Sequence, residues 1–317
     1  MSTPLVSIIC EVFNHEPYIR QCLDGFVSQK TSFPIEVLIH DDASTDRSAT
    51  IIREYEKIYP GLFKPIYQSE NQYSKGVNIW CDIQFARAKG KYIAICEGDD
   101  YWTDPLKIQK QVDFMEGHPD YTLCCTAFTQ TENGDEQHPA EIAFGYDDIT
   151  LEDILKGAWI GTLTTLFRND AIADYQVPLP DLPMGDLPLW CHLAMKGKVK
   201  YLHDATANYR RLQNSACHPT DAEKEYRFRV DAMRVRDYYA KLAGESTLIQ
   251  PLYNKESHYI LNQCFKNQWI DFPLDSLWAF IQEYGHPSGY DRLRRWGLRS
   301  NLSHAIAKAI MMILNKN

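Results

Sequence analysis

The chain has 317 residues, of which 44% are hydrophobic and 24% charged, and its formal net charge is −9 at pH 7. This length suffices for one large core, or for one core with a helical addition. The acidic balance argues against a general nucleic-acid-binding protein, so no nucleic-acid partner is expected.

Signals for export or membrane insertion are not found in the sequence. The first nine residues carry neither a basic segment nor a long apolar one, so no secretory signal is expected. No apolar run reaches the length of a transmembrane helix. The 9 cysteines are scattered without paired spacing, which predicts reduced thiols in a cytoplasmic protein.

Strand and helix patterns alternate over the first hundred residues. Apolar runs typical of buried parallel strands lie at residues 5–10, 35–40 and 92–96. Helical patterns follow the first two strands and also cover residues 77–88, with Ser44 or Thr45 as the predicted cap of the second helix. This alternation predicts an α/β fold with a largely parallel sheet.

Polar and acidic residues follow each of these three strands. They are residues 11–14, the pair Asp41 and Asp42, and the acidic turn of residues 97–100 (Glu-Gly-Asp-Asp). Parallel strands bind ligands in the crevice outside their carboxyl ends. Clustered carboxylates repel one another, and Mg²⁺ or Mn²⁺ relieves that repulsion. A solvated acidic turn is the alternative, and the convergence of three strand ends favours a binding site.

Two common phosphate-binding motifs are missing from the sequence. No G-x-G-x-x-G follows the first strand, and no G-x-x-x-x-G-K-[ST] occurs anywhere in the chain. Ordinary dinucleotide binding and P-loop phosphate binding are therefore disfavoured.

Three segments at suitable spacing, residues 6–14, 37–46 and 92–100, resemble motifs of a known enzyme family. Together they resemble the nucleotide-sugar-binding half of inverting family 2 glycosyltransferases of the GT-A fold. The resemblance continues more weakly to about residue 215. It implies a Rossmann-like mixed sheet flanked by helices, and a catalytic domain over residues 1–220.

The resemblance also implies roles for individual residues. The turn after the first strand would lie against the nucleotide base through Glu11, Phe13 and Asn14. The carboxylate of Asp42 would accept a hydrogen bond from a uracil-type base, which points to a UDP-linked donor. Glu11 stands where the family usually has Pro, which is a departure in the base pocket.

At the acidic turn, the resemblance implies a metal site. The acidic turn would hold the ribose and the Mn²⁺ or Mg²⁺ that bridges the diphosphate, with Asp99 as a donor-binding residue and with Asp99 and Asp100 as the candidate metal ligands. Glu97 replaces the usual first Asp of this motif, which keeps the charge but lengthens the side chain.

Asp186 has two interpretations. It stands at the start of a helical pattern, where a carboxylate interacts with exposed N–H groups, and the local sequence favours this structural role. Family members place a Glu-Asp pair here, and the Asp of that pair deprotonates the acceptor hydroxyl. The chain has Gly185 before Asp186, so only the catalytic half of the pair is retained.

A basic segment follows at Arg210 and Arg211. In the family, a loop of this kind closes over the diphosphate, and Arg suits bidentate phosphate contact. Ser215 matches the family pattern, whereas Gln213 or Asn214 occupies the region of the usual His. A basic surface loop is an equally good interpretation.

Residues 221–317 predict a helical C-terminal region without recognisable chemistry. Basic and aromatic residues at 292–299 precede an apolar segment at 302–314 that is short for a membrane span. One interpretation is an interfacial helix at the inner face of the membrane. The other is a helix that docks on the protein or on a second copy, and the oligomeric state stays open.

The sequence therefore predicts a metal-dependent inverting transferase that moves a sugar from a UDP-linked donor to a saccharide or lipid-linked acceptor, in surface polysaccharide biosynthesis. A sugar-1-phosphate nucleotidyltransferase would need a Gly/Arg/Lys-rich loop after the first strand, and residues 11–16 offer none. A nucleotide-sugar-binding scaffold subunit with a decayed catalytic base is the non-enzymatic alternative.

Overall fold

The computed structural model describes residues 3–132, 140–212, 221–269, 272, 274–285 and 287–314. The chain divides into two compact units. The first comprises Met1–Ile154, Ala158–Asp181 and Gly185–Leu212, and the second comprises Leu155–Gly157, Leu182–Met184 and Gln213–Asn317.

One mixed sheet organises the first unit. Its ten strands within the described residues are β1 (Val6–Val12), β2 (Ile35–Asp41), β3 (Ile66–Tyr67), β4 (Tyr92–Ile95), β5 (Tyr101–Trp102), β6 (Tyr121–Glu132), β7 (Ala140–Ile142), β8 (Asp148–Ile149), β9 (Leu166–Arg168) and β10 (Lys198–Arg211). The order is β3-β2-β1-β4-β9-β6-β10-β5, with β7 beside β6 and β8 beside β10. The predicted α/β class is confirmed.

Strand direction changes within the sheet. β1 pairs in parallel with both β2 and β4, and β2 pairs in parallel with β3. β9 is antiparallel to β4 on one side and to β6 on the other. The parallel half therefore presents the carboxyl ends of β1, β2 and β4 along one edge.

Six helices accompany these strands in the described sequence up to residue 212. They are α1 (Ile19–Val27), α2 (Ser48–Ile58), α3 (Phe85–Arg87), α4 (Lys107–Gly117), α5 (Leu151–Lys156) and α6 (Asp186–Lys196). α1 buries Ile19, Leu23 and Phe26 at helical spacing in the core that β1 and β2 also enter. The strands contribute the continuous apolar runs seen in the sequence.

The start of α2 differs from the prediction. Its first N–H, on Ser48, donates to Asp46 Oδ1 at 2.9 Å, whereas Ser44 and Thr45 do not cap this helix. The Ser44 hydroxyl instead accepts the N–H of Asn14 at 2.9 Å, and the Thr45 N–H donates to Asn14 Oδ1 at 2.8 Å. Both residues thus tie the end of β2 to the end of β1.

The predicted helix over residues 77–88 is irregular. Residues Ile79–Gln84 form a π-helical turn that leads into the short α3. Asn78 Oδ1 accepts the Cys81 N–H at 3.0 Å, and the buried Gln84 amide donates to the Leu38 carbonyl at 3.1 Å. Single π-turns within helices frequently accompany functional sites.

The second unit is helical in its described residues. Its helices are α7 (Ala222–Ala243), α8 (Ser246–Asn267), α9 (Leu274–Tyr284), α10 (Gly289–Gly297) and α11 (Asn301–Leu314). Buried apolar side chains from α7, α8 and α9 include Val230, Ile249, Tyr253, Ile260 and Ile281. Among the described helices, none combines the length and the apolar content that crossing a membrane requires.

Candidate active site

The turns that follow β1, β2 and β4 lie together at one edge of the sheet. Val12 is opposite Asp41 in the register of β1 with β2, and Ile9 is opposite Ile95 in that of β1 with β4. Hydrogen bonds continue past the strands: the Asp42 N–H donates to the Val12 carbonyl at 2.8 Å, and the Gly98 N–H to the Glu11 carbonyl at 2.9 Å. The expected convergence of acidic and polar turns is therefore present.

The turn after β1 is held by Asn14. Its φ of 58° lies in the left-handed region, which Asn tolerates better than most residues. Its side-chain oxygen accepts N–H and O–H donors from Thr45. Phe13, beside it, is 45% exposed. The turn therefore leaves an aromatic ring accessible at the strand edge while its backbone is fixed to the turn after β2.

The Asp42 carboxylate organises the polar loop beyond β3. Its Oδ1 accepts the N–H of Gln72 at 2.7 Å, and its Oδ2 accepts that of Tyr73 at 3.0 Å. The side chain is buried. Each carboxylate oxygen has further lone-pair capacity, so these two bonds are compatible with an additional donor from a ligand.

The acidic turn holds carboxylates whose ionisation is disfavoured by burial and, after that, by neighbouring negative charges. Burial, followed by the charges of Asp99 and Asp186, raises the pKa of Glu97 to about 8. Burial, followed by the charges of Asp99 and Glu97, raises the pKa of Asp100 well above its usual range. Both shifts identify an electronegative site that a cation or a set of hydrogen-bond donors would stabilise.

Glu11 adds a further carboxylate to this edge. Burial is the largest cause that raises the pKa of Glu11 well above its usual range, and Glu97 and Asp42 add to it. Its Oε1 is buried and accepts no hydrogen bond from the described residues. The orphaned oxygen is consistent with a ligand or cation contact at this position.

The turn between Glu97 and Asp99 depends on a glycine. A Cβ on Gly98 would lie 2.9 Å from both His15 Nδ1 and Val12 Cγ2, which is closer than such atoms approach. Gly98 therefore lets the acidic turn lie directly on the β1 turn. His15 Nδ1 is itself buried without a partner among the described residues.

A divalent cation fits the donor chemistry here. Within the described residues, no group of three or more His, Cys, Asp or Glu side chains is arranged to hold a metal. Mg²⁺, however, is commonly bound by one or two carboxylates together with substrate phosphates and water. Asp99 and Asp100 match that smaller protein donor set, and Arg210 only partly offsets the burial and the negative charges that raise the pKa of Asp100.

Asp186 is the first residue of α6 and contributes to the same electrostatic site. Its Oδ1 accepts the N–H of Leu187 at 2.7 Å, as expected for a carboxylate at a helix start. Its charge also raises the pKa of Glu97, which places it within electrostatic range of the acidic turn. The structural and the electrostatic interpretations of Asp186 are thus compatible.

Arg210 lies beneath the acidic turn instead of on an open loop. The side chain is 2% exposed, and its guanidinium donates to the Asp99 carbonyl at 2.6 Å. Its backbone N–H donates to Asp100 Oδ1 at 2.7 Å, and the guanidinium stacks 4.3 Å from the Tyr101 ring centroid. Arg210 therefore fixes both aspartates.

The neighbouring basic segment is less informative. Arg211 is exposed and pairs with Glu132 at 3.4 Å. The remaining predicted residues of this segment, Gln213, Asn214 and Ser215, lie outside the described residues.

Trp80 lies beside the candidate site and is not among the residues predicted from the sequence. Its ring lies on Gly185, because a Cβ on Gly185 would be 3.2 Å from Trp80 Cε3. Its indole N–H is buried without an acceptor among the described residues. The π-helical turn that carries Trp80 is the local feature that points to a functional position. The sequence pattern of this segment predicts an ordinary helix, so the turn could not be predicted from it.

Comparison with known proteins identifies the family. The model described as "Glycosyl transferase family 2" matches residues 7–173, more than half of the chain. The chain belongs to glycosyl transferase family 2. The matched region contains β1, β2, β4 and the acidic turn, so the family assignment covers the edge described above.

Relatives of this family 2 chain include an uncharacterised protein and a putative glycosyltransferase. An uncharacterised Mycobacterium tuberculosis protein is 36% identical to this chain over an alignment that covers 72% of this chain and 65% of that protein. The putative teichuronic acid biosynthesis glycosyltransferase TuaG of Bacillus subtilis is 30% identical over 67% of the chain and 81% of its own length. The chain thus spans slightly less than two thirds of the first of these relatives.

A solved structure supports the GT-A fold. Staphylococcus aureus TarS (residues 1–349), in complex with UDP-GlcNAc, superposes with a TM-score of 0.63 over 97% of this chain and 91% of the TarS chain. The sequence identity is 17%, so this similarity concerns the fold.

Proposed function

We propose that this family 2 protein is a metal-dependent inverting glycosyltransferase. It moves a sugar from a UDP-linked donor to a saccharide or lipid-linked acceptor during surface polysaccharide biosynthesis. The observation that carries the proposal is the joint electrostatic site of Asp186 and the acidic turn, in which the charge of Asp186 raises the pKa of Glu97. Inversion requires a base on the acceptor side and charge stabilisation of the departing diphosphate on the other side, and Asp186 and the acidic turn would serve these two tasks.

The donor would bind across the edge formed by the three turns. Phe13 offers an exposed ring for the base, with Glu11 and Asn14 beside it. Asp42 would accept a hydrogen bond from the base in addition to its two backbone donors. UDP is the proposed nucleotide because the family resemblance implies that Asp42 binds a uracil-type base, and TarS, which shares this fold, has been solved with UDP-GlcNAc.

Asp99 would contact the ribose, and Asp99 with Asp100 would hold a Mn²⁺ or Mg²⁺ ion against the diphosphate. The ion supplies Lewis-acid stabilisation of the departing diphosphate when it is bound. Arg210 is a positioning residue in this account. It contacts the carbonyl of Asp99 and its own N–H holds Asp100, so it would fix the two candidate ligands beside the diphosphate.

Asp186 would act as the general base. Its carboxylate takes the proton of the acceptor hydroxyl while that oxygen bonds to the anomeric carbon and the bond from that carbon to the diphosphate oxygen breaks. An anionic Asp is sufficient for this task at neutral pH. Attack opposite the leaving group inverts the anomeric configuration.

A transfer assay tests the proposal. The protein is incubated with UDP-sugars, Mn²⁺ and a lipid-diphosphate-linked saccharide, and nucleoside diphosphate release is measured together with the anomeric configuration of the product. Acceptor-dependent release of UDP with an inverted product is the expected result. A product of retained configuration, or turnover that is unchanged by chelation of all divalent ions, would contradict it.

A nucleotide-sugar-binding scaffold subunit is the second candidate. It is favoured by one observation, the replacement of the usual Glu by Gly185, whose Cα is covered by Trp80. Such a subunit would bind UDP yet release none from a UDP-sugar with any acceptor. A sugar-1-phosphate nucleotidyltransferase has less support, because the β1 turn carries acidic and aromatic residues where that chemistry needs basic ones.

A further inference from the structure

Helix α11 exposes five large apolar side chains, and the described side chains that it buries are small or polar. Ser303, His304 and Ala307 are buried, whereas Leu302 is 72% exposed. The large apolar side chains on its outer surface, here called the α11 face, are Leu302, Ile306, Ile310, Met312 and Leu314. A surface helix of a globular protein normally turns such residues toward the core. This helix does the opposite.

Packing within the second unit fixes this orientation. A Cβ on Gly297, at the end of α10, would lie 2.7 Å from Ala307 Cβ, so the two helices meet closely through small residues. The Ser303 hydroxyl donates to the Gly297 carbonyl at 3.2 Å, and the His304 ring lies 4.5 Å from that of Phe265. Turning α11 over would place large side chains into this close contact, so its apolar face is held outward.

Basic residues lie close in sequence to the α11 face. Residues 292–314 include Arg292, Arg294, Arg295, Arg299 and Lys308 but no Asp or Glu, in a chain whose net charge is −9. Arg294 pairs with Asp291, and Arg295 with Asp275. The other three basic residues form no ion pair with the residues that the structure describes.

We propose that the α11 face docks on an anionic lipid surface. Apolar side chains would enter the boundary between headgroups and acyl chains, while the basic residues would contact lipid phosphates. The exposed Trp296 on α10 suits the same boundary. A second copy of the chain fits less well, because a two-fold contact through this face would bring two basic clusters together.

The inference deepens the proposed function, since a lipid-linked acceptor lies at a membrane. Docking needs neither donor nor acceptor, so it can fail while the transferase proposal holds, and the reverse is also true. The 14-residue length of α11 and the exposure of its large apolar side chains fit a helix that lies along the surface.

Vesicle sedimentation tests the proposal on the full chain. The wild type is expected to sediment with phosphatidylglycerol vesicles, less with phosphatidylcholine vesicles, and less as salt increases. Ile306→Asp combined with Ile310→Asp should lower the partition coefficient at least tenfold. Leu242→Asp, at an exposed leucine of α7 in the same unit, is the matched control and should bind as the wild type does. Arg292→Glu with Arg299→Glu should weaken binding to anionic vesicles alone.

Two results would overturn the proposal. One is a folded wild type that stays in the supernatant with anionic vesicles, or a double aspartate variant that sediments equally well. The other is a concentration-dependent dimer that the double aspartate variant abolishes, in a protein that does not bind vesicles. That second result would assign the α11 face to a second copy.

Discussion

The indole ring of Trp80 covers the Cα of Gly185, the residue immediately before Asp186. A Cβ on Gly185 would lie 3.2 Å from Trp80 Cε3 and 3.3 Å from Cζ3. A side chain at position 185 would therefore press on an aromatic ring from the π-helical turn. Gly185, where the family resemblance implies Glu, is thus accompanied by a specific packing contact.

This contact predicts coupled effects of substitutions at the two positions. The backbone at Gly185 is in the right-handed helical region, which any residue adopts. Gly185→Ala should nevertheless destabilise the protein by about 1 kcal/mol, because the Trp80 ring must move to make room for the Cβ. In a Trp80→Ala background the same change should be close to neutral. Urea unfolding of the double-mutant cycle measures the coupling, and strictly additive effects would show that the contact carries no strain.

Asp186→Asn is expected to abolish most of the transfer while leaving the structure intact. Asn keeps an oxygen that can accept the Leu187 N–H but loses the charge that interacts with the helix dipole, so the free energy of unfolding should fall by no more than about 1 kcal/mol. Loss of the proton acceptor should lower kcat by roughly 10²–10⁴-fold. Asp174→Asn, at an exposed aspartate that pairs with Lys196, is the matched control and should retain full turnover. Unchanged turnover in Asp186→Asn would remove the base assignment.

Asp42→Ala should weaken both stability and donor binding. The variant loses the acceptor for the N–H groups of Gln72 and Tyr73, a cap whose removal costs about 1–2 kcal/mol. Asp82→Ala removes a comparable backbone contact, to the Asn78 N–H at 2.9 Å, and is the control. Calorimetry should show weaker UDP binding in the first variant only. Equal UDP affinity in both would limit Asp42 to a structural role.

The core of the first unit contains a buried lysine that is independent of the candidate site. Lys107 is fully buried and its Nζ donates to Gln111 Oε1 at 2.7 Å, 4.5 Å from the Trp102 ring centroid. Burial lowers the pKa of Lys107 to about 7. In the unfolded chain the amine has its ordinary pKa of about 10.4. It is therefore mostly protonated between pH 7 and that value.

Stability should therefore respond to pH through Lys107. Since the unfolded state binds more protons between pH 7 and about 10, the Lys107 contribution opposes folding at neutral pH, and this penalty decreases as pH increases. Lys107→Met removes it, so any stability advantage of the variant should be greatest at or below pH 7 and should decrease by up to about 1.4 kcal/mol per pH unit above that.

The quantity to measure is the difference in the free energy of unfolding between Lys107→Met and the wild type, because buried thiols and tyrosines titrate in both proteins. Urea unfolding at pH 7, 8 and 9 gives this difference. Gln111→Leu serves as the control, since it removes the hydrogen-bond partner but keeps the amine. A difference that does not vary with pH would mean that Lys107 keeps its charge in the folded protein.

Local sequence was sufficient to predict the elements that carry the donor side of the site. β1, β2 and β4 are short apolar runs that end abruptly in polar residues, and the pairing of parallel strands then places Glu11, Asp42 and the acidic turn together. The helix start at Asp186 was also visible, because a turn with glycine precedes an apolar periodic segment.

Long-range packing accounts for what the sequence could not give. Arg210 suggested an open phosphate-binding loop, but β10 continues to Arg211 and carries Arg210 beneath Asp99 and Asp100. The orientation of α11 was likewise hidden, since an amphipathic pattern does not say which face is covered. The Trp80 contact joins two segments far apart in the chain, and neither carries a signal for the other.

Calorimetric titration with UDP, in Mn²⁺ and then in EDTA, tests the central claim most directly. GDP and CDP serve as the nucleotide controls, and Asp99→Asn serves as the site control. The account predicts binding of UDP that needs Mn²⁺, that is far weaker for GDP and CDP, and that is lost in Asp99→Asn. UDP binding of equal strength in EDTA and in Asp99→Asn would contradict the metal site at the acidic turn, and no binding of any of the three diphosphates would contradict the donor site itself.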